Sequence, residues 1–269
     1  MKAINVFSRR NRILLRELVK TDFKLRYQGS VLGYVWAVLR PLMMFAIMYV
    51  VFVHFLRFGA DVPHFAVALL LGQVLWTFFT ESTGQGMRII VERGDLLRKI
   101  NFPKYIIILS ATIGALINLS INLGVVLIFA VINGVDFQWH ILLVPLLIIQ
   151  LYVLSLGLAF GLSALFVRFR DVGQIWDVIV QGAFFATPII YPITMVMAQS
   201  EFAARLLMLN PMAQIIQDTR YLVVSPANMT IWEMLPLQFA VLPVILTVTI
   251  AICSSLYFRR HSKRFAEIF

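Results

Sequence analysis

Apolar residues gather in six runs along the chain, at 31–56, 65–87, 106–132, 141–167, 176–190 and 235–258, with polar breaks between them. At a helical rise of about 1.5 Å per residue, roughly 20 residues cross the hydrocarbon of a bilayer. All the runs except 176–190 are therefore long enough to span it. That run meets Pro188 and Pro192 soon after Asp177. Proline lacks the backbone donor, so this segment must end early or go on as a broken helix.

The polar stretches carry patterns of their own. In 4–27, Arg12, Arg16, Lys20 and Lys24 recur every four residues, while Leu14, Leu15, Leu18 and Leu25 gather on the opposite side. This spacing predicts an interfacial amphipathic helix, apolar face in the acyl boundary and basic face toward anionic headgroups, ended by Gly29 and Ser30. Between the second and third runs lies RIIVERGDLLRKINFPKY (88–105), with five basic and two acidic residues. Leu96, Leu97 and Ile100 oppose Arg98 and Lys99, and Pro103 acts as a stop. One reading is a solvated cytoplasmic loop; the other is a short surface helix that docks on a cytoplasmic partner. After the fifth run come two shorter apolar stretches, 202–209 and 212–224, separated by Asn210 and Pro211 and closed by Ser225 and Pro226. Each is too short to span. They form either a re-entrant helix pair in the outer leaflet or a helical cap over the spans.

Composition settles the class. With 61% hydrophobic and 13% charged residues among 269, and a mean hydropathy of +0.88, this is an all-α polytopic membrane protein rather than a soluble domain. The net charge of +10 does not point to nucleic acid, because the basic residues sit at the ends of the apolar runs. Anionic lipid and membrane orientation account for them. Nineteen of the 23 Lys and Arg fall in 1–30, 88–105, 168–177 and 259–269; Arg57, Arg205 and Arg220 fall on the opposite side, and Arg40 lies inside the first run. Both termini are thus expected in the cytoplasm. The first thirty residues are too charged for a secretory signal, and the lone Cys253 permits no intrachain disulfide.

Chemistry is sparse. No glycine precedes a lysine, so the phosphate-cradling loop of an ATPase is missing. His54, His64, His140 and His261 lack metal-ligand spacing, and neither a carboxylate pair nor a Ser-His-Asp set assembles. The chain reads as a conduit without catalysis, metal or cofactor of its own. Glu81, amid Thr77, Thr80, Ser82, Thr83 and Gln85, is the one carboxylate well inside a span, and an intramembrane charge faces the bundle interior or a cavity. Pairing with Arg88 competes with substrate contact as its role. Ser110, Gly114, Asn118 and Asn122 form a stripe suited to interhelical hydrogen bonding, and Gly157 with Gly161 is a packing signal. Phe45, Tyr49 and Phe52 share one face of the first run, with Trp76, Phe78, Phe79, Phe184 and Phe185 at similar depths. Such rings stack on the C–H faces of sugars in a channel, or else fill the core or face lipid.

Four blocks in register, KLRYQGSVLGYVWAVLRPL (24–42), LLRKINFPKYIIILS (96–110), FRDVGQIWDVIVQGAFFATPIIYP (169–192) and LNPMAQIIQDTRYLV (209–223), resemble the membrane subunit of polysaccharide-exporting ABC transporters, the O-antigen and teichoic-acid permeases. The resemblance implies a homodimer of six-span subunits in the bacterial inner membrane, with two ATP-binding subunits that hold ATP and Mg. It implies that 1–30 carries an interface helix, that 31–258 is the transmembrane domain and that 259–269 is a basic cytoplasmic tail. Gly94, Asp95, Leu96, Leu97, Arg98, Lys99 and Ile100 become the coupling helix seated in the ATPase. The region 191–232, with Asn210, Pro211 and Ile216, becomes the outer gate. The substrate is then a lipid-diphosphate-linked polysaccharide, with Arg40 either a diphosphate contact or an anchor that snorkels to the interface; Phe45, Tyr49, Phe52, Trp76, Phe184 and Phe185 are the candidates for the wall of its route. A secondary transporter or flippase without an ATPase partner is the alternative; it should show repeat symmetry and ion-coupling residues.

Overall fold

The computed structural model describes residues 9–27, 31–60, 62–99, 102–262 and 265. Among them all regular structure is helical. Helix α1 is Arg9–Tyr27. The first span combines a 3-10 turn at Gly33–Val35, α2 at Trp36–Met48 and a π-helical turn at Tyr49–Phe55. Then follow α3 (Phe65–Glu92), α4 (Gly94–Lys99), α5 (Tyr105–Ile132), α6 (Val144–Arg168, preceded by a 3-10 turn at Trp139–Leu143) and α7 (Val172–Ala186). The segment after α7 holds α8 (Ile193–Gln199), α9 (Glu201–Met208), α10 (Pro211–Val223), α11 (Ile231–Met234) and α12 (Leu237–Ala240), and α13 is Leu242–His261.

Five of the six apolar runs become segments long and apolar enough to cross a membrane: Gly33–Phe55, Phe65–Glu92, Tyr105–Ile132, Trp139–Arg168 and Leu237–His261. The fifth run does not. Helix α7 has 15 residues, about 22 Å of rise, and stops at Ala186 just ahead of Pro188. The chain then turns through Thr187–Ile190, all four buried.

Helix α3 is the hub. It packs on α5 and α6, and also meets α2, α7 and α10; from Val67 to Trp76 it is buried without interruption. A helix apolar all round can only be central. Close approach follows from small residues. A Cβ at Gly157 would stand 2.7 Å from the Ala251 Cα, and one at Gly161 would stand 2.9 Å from the Ser254 Oγ. The two glycines of α6 therefore form the seat of α13, as their spacing suggested.

Helix α1 departs from the expectation of an apolar face in lipid. It packs on α5, and Leu14, Leu15 and Leu18 join Ile90, Ile106, Ile107 and Phe258 in a second core beside the main one. Asp22 accepts a hydrogen bond from the Ser110 Oγ and pairs with Arg93. The apolar side is spent on protein, while Arg9, Arg10, Arg12, Arg16, Lys20 and Lys24 stay exposed. Residues 4–8 of the expected helix lie outside the described residues.

The first span is held by side chains of its neighbours. Pro41 sits inside α2 and has no N–H, so the carbonyl four residues back, at Ala37, loses its helical donor. Asn122 of α5 takes that place: its Nδ2 donates to the Ala37 oxygen at 3.1 Å. Gln73 of α3 donates to the Pro41 oxygen at 3.3 Å. The polar stripe of α5 thus repairs a defect in another helix. Replacing Asn122 by leucine should cost about 1–3 kcal/mol, the usual penalty for orphaning a buried acceptor. In a Pro41→Ala background the new backbone N–H serves Ala37, so the same replacement should cost clearly less. A double-mutant cycle on thermal unfolding in detergent measures the difference; additive losses would refute the repair.

Candidate functional site

Three regions carry the expected functional residues, and the structure treats them differently. The first is the aromatic wall. Phe45 is 9% exposed and its ring meets Phe129 of α5 edge-on, centroids 5.4 Å apart, so it is a core residue. Tyr49, one turn on, is 40% exposed, and Phe52 is half-buried against Phe58. Between α3 and α7 the rings form a connected seam: Trp76 touches Phe79 at 5.4 Å and Phe184 at 5.9 Å, and Phe184 stands edge-on to Phe185. Trp76 is buried, whereas Phe185 is 64% exposed. Of the six expected wall residues, Tyr49 and Phe185 offer the open surface. Arg40 is exposed beside the Pro41 kink.

The second region is the turn after α3. Gly94 is buried, Asp95 exposed at the first turn of α4, and Leu96 half-buried against the second core. The side chains of Leu97, Arg98 and Lys99, and Ile100 as a whole, lie outside the described residues. Arg93 reaches back to Asp22 of α1, and burial lowers its guanidinium below the ordinary value. Because arginine starts so high, it stays charged. The pair ties α1 to the turn that carries α4.

The third region lies beyond α7. Asn210 caps α10, its Oδ1 accepting from the Met212 N–H at 3.0 Å, and Pro211 takes the first helical position, where a missing N–H costs nothing. The two apolar stretches differ: every residue from Met212 to Arg220 is buried, whereas Phe202 and Leu206 of α9 are exposed. Ile216 is fully enclosed and lies against Gly72. Helix α10 belongs to the main core, whereas α8, α9, α11 and α12 build a small core of their own around Ile193, Ala204, Met208, Ile231 and Met234.

Two charged residues escaped the sequence reading. Arg220, counted there as an outer surface charge, is the largest fully buried side chain among the described residues. Its Nε donates to the Ala68 oxygen at 2.9 Å, its Nη1 to the Pro188 oxygen at 2.6 Å and its Nη2 to the Ile189 oxygen at 2.6 Å. Asp218 is buried on another side of the helix. Its carboxylate accepts from the Gln214 Nε2 at 2.7 Å and from the Ile231 N–H at 3.4 Å. Gln214 in turn accepts from Gln150 of α6 at 2.7 Å. The available signal was two opposite charges inside a stretch otherwise apolar enough to be buried.

Glu81 also finds other company than expected. It accepts from Asn118 of α5 at 2.9 Å and from Gln85 at 3.2 Å. Arg88 pairs with Asp177 of α7 at 2.7 Å instead, since α7 crosses α3 on the side that Arg88 faces. Trp176 adds a hydrogen bond to the Thr83 Oγ at 3.3 Å. Glu81, Asn118, Asn122, Thr77 and Pro41 line a crevice of about 10 Å³, room for one water and no more.

Residues 13–224, which run from within α1 to just past the end of α10, match the ABC-2 type transporter family. The chain belongs to that family. It is similar to the O-antigen export system permease protein RfbA of Myxococcus xanthus, 32% identical over 204 residues that cover 76% of this chain and 77% of the relative. Two proteins of the same name from Klebsiella pneumoniae are 27% identical over 211 residues (77% of this chain, 78% of the relative) and 25% identical over 259 (95% and 94%). This ABC-2 transporter is therefore a multi-pass membrane protein.

The two kinds of aromatic should separate on substitution. Phe45→Ala should cost about 3–5 kcal/mol of stability, as for large core side chains. Tyr49→Ala and Phe185→Ala, on open surface, should stay within roughly 0.5 kcal/mol. Melting of the three purified variants in one detergent decides; equal losses would put all three in the core.

Proposed function

We propose that the chain is the transmembrane subunit of an ABC exporter that moves lipid-diphosphate-linked polysaccharide of the O-antigen class across the bacterial inner membrane. The observation that carries this is the run of relatives named as O-antigen export permeases, aligned over three quarters or more of their length and of this chain. The subunit works as a homodimer with two copies of a separate ATP-binding subunit, which binds ATP and Mg. Both termini lie in the cytoplasm, the side on which nineteen of the 23 basic residues then fall.

Within that frame each region has a task. Helix α4, joined to α1 through Arg93 and Asp22, passes motion of the ATPase into the spans. The exposed faces of the first span and of α7, with Tyr49 and Phe185, line the route, and sugar rings slide over aromatic surface that offers no fixed hydrogen-bond register. Arg40, near the cytoplasmic start of the first span, meets the diphosphate; a guanidinium suits phosphate oxygens because its donors form a planar fork. On the outer side α10 is the anchored element. The separate small core of α8, α9, α11 and α12 is the part that moves as a unit, with Asn210 and Pro211 as the joint. An ABC-2 chain without a nucleotide loop favours this over a secondary transporter or a flippase that works alone.

Reconstitution tests the assignment. Vesicles with the permease and its ATP-binding subunit should translocate lipid-linked polysaccharide on addition of ATP and Mg, and omission of the subunit should abolish transport. Transport that persists without it would favour the alternative. Asp95→Arg reverses an exposed charge on α4, so the permease should still insert while the yield of co-purified ATP-binding subunit falls, by about tenfold if some 1.4 kcal/mol of contact is lost. Unchanged yield and unchanged export would remove α4 from the interface.

A further inference from the structure

Helix α7 packs on α3 through Trp176 on Phe79 and Phe184 on Trp76, and polar contacts hold it near both ends. Near its start Asp177 pairs with Arg88, and Trp176 donates to Thr83. Past its end, the carbonyls of Pro188 and Ile189 both accept from the Arg220 guanidinium, which also holds Ala68 on α3. The break itself is well defined: Thr187 is extended, its hydroxyl donates to the Ala183 oxygen at 2.8 Å, and Asn210 donates to that hydroxyl at 3.5 Å. Phe185 and Ala186 are exposed, and the next four residues are buried. The last turn of α7 is thus the hinge point between open surface and core.

Space for the guanidinium is made by Gly72. A Cβ at that position would stand 2.7 Å from Nη2, so any larger residue pushes Arg220 off the carbonyls. Ala68 and Gly72 lie one turn apart on α3. One supplies an acceptor, the other the vacancy. Three carbonyls from two separate segments converge on one planar group with five N–H donors. A lysine ammonium concentrates its donors on one nitrogen and cannot meet all three.

We infer that Arg220 is a positioning residue for the aromatic end of α7: through Pro188 and Ile189 it fixes where Phe184 and Phe185 stand. The inference rests on the reading of α7 as part of the conduit wall. It makes the buried outer helix α10 the element that sets the geometry of that wall, and it ties α3, α7 and α10 into one rigid corner.

A spin label at Phe185→Cys in a Cys253→Ser background tests it, in proteoliposomes that hold the complete permease–ATPase complex. With Arg220 intact the label should give a single immobilised spectrum. In Arg220→Lys that single component should be lost to a second, more mobile one, and Gly72→Ala should shift the spectrum in the same direction. A control label at Leu256, exposed on α13, should not change in either variant. Unchanged spectra at 185, or equal changes at 185 and 256, would overturn the inference. If Arg220→Lys fails to insert, Gly72→Ala decides alone, because the flexible guanidinium can withdraw from the added methyl and leave the fold intact. Export plays no part in this readout. Normal export by Phe185→Ala would count against the conduit wall and leave the spectra to judge Arg220.

Discussion

A helix that stops inside a membrane protein leaves backbone groups with no water to bind, and each must find a partner within the protein. Much of this structure follows from how the stop after α7 is resolved. The Arg220 guanidinium takes the Pro188 and Ile189 carbonyls and one from α3, and its remaining hydrogen bond goes to Gln217 at 3.3 Å. All four acceptors are neutral. A buried cation is costly, yet carbonyl dipoles gathered around a charge make strong hydrogen bonds. That arrangement requires α10 to lie deep and α3 to carry a glycine at 72. It also requires the chain to fold back at 187–190 rather than leave the bundle.

The first span shows the same logic in a milder form. Pro41 deprives Ala37 of its donor, and Asn122 provides one from α5. Both interrupted helices are thus tied to the α3–α5–α6 centre by side-chain donors aimed at backbone carbonyls. Both also carry wide exposed apolar faces: Met43, Met44, Ile47 and Val50 on the first span, Ile175, Val178, Ile179 and Phe185 on α7. Such faces are free to meet lipid, a second copy of the chain or the proposed route, and they leave few internal contacts to fix the helices. Directional hydrogen bonds therefore set where these two elements sit.

Electrostatic bookkeeping divides along the same line. At the turn after α3 the pair of Asp22 and Arg93 is partly shielded and joins α1 to α3, whereas the Arg88–Asp177 pair is open enough to be screened by water and salt. Helix α10 carries its charges inside. Asp218 is met by Gln214 and the Ile231 backbone, and Gln150 extends the chain of hydrogen bonds to α6. A helix with Asp218 and Arg220 both enclosed is anchored on two sides, which is why α10 joins the main core and α8 and α9 do not.

Hydropathy alone determined the membrane class, the place of five long spans and the amphipathic α1, because apolar length and helical period are local properties of the chain; the helix at 94–99 was one of two readings of its segment. The α5 stripe was legible as interhelical glue, and so was the Gly157–Gly161 seat. What the sequence could not determine was which groups meet. Arg220 reads as a surface charge until Ala68, 152 residues away, and Pro188 are brought beside it. Arg88 reads as a partner for Glu81 until α7 delivers Asp177. Phe45 and Tyr49 share a face by period, yet only the packing of α5 buries one and leaves the other open. Burial and pairing depend on distant segments, and the local pattern records no more than the capacity for them.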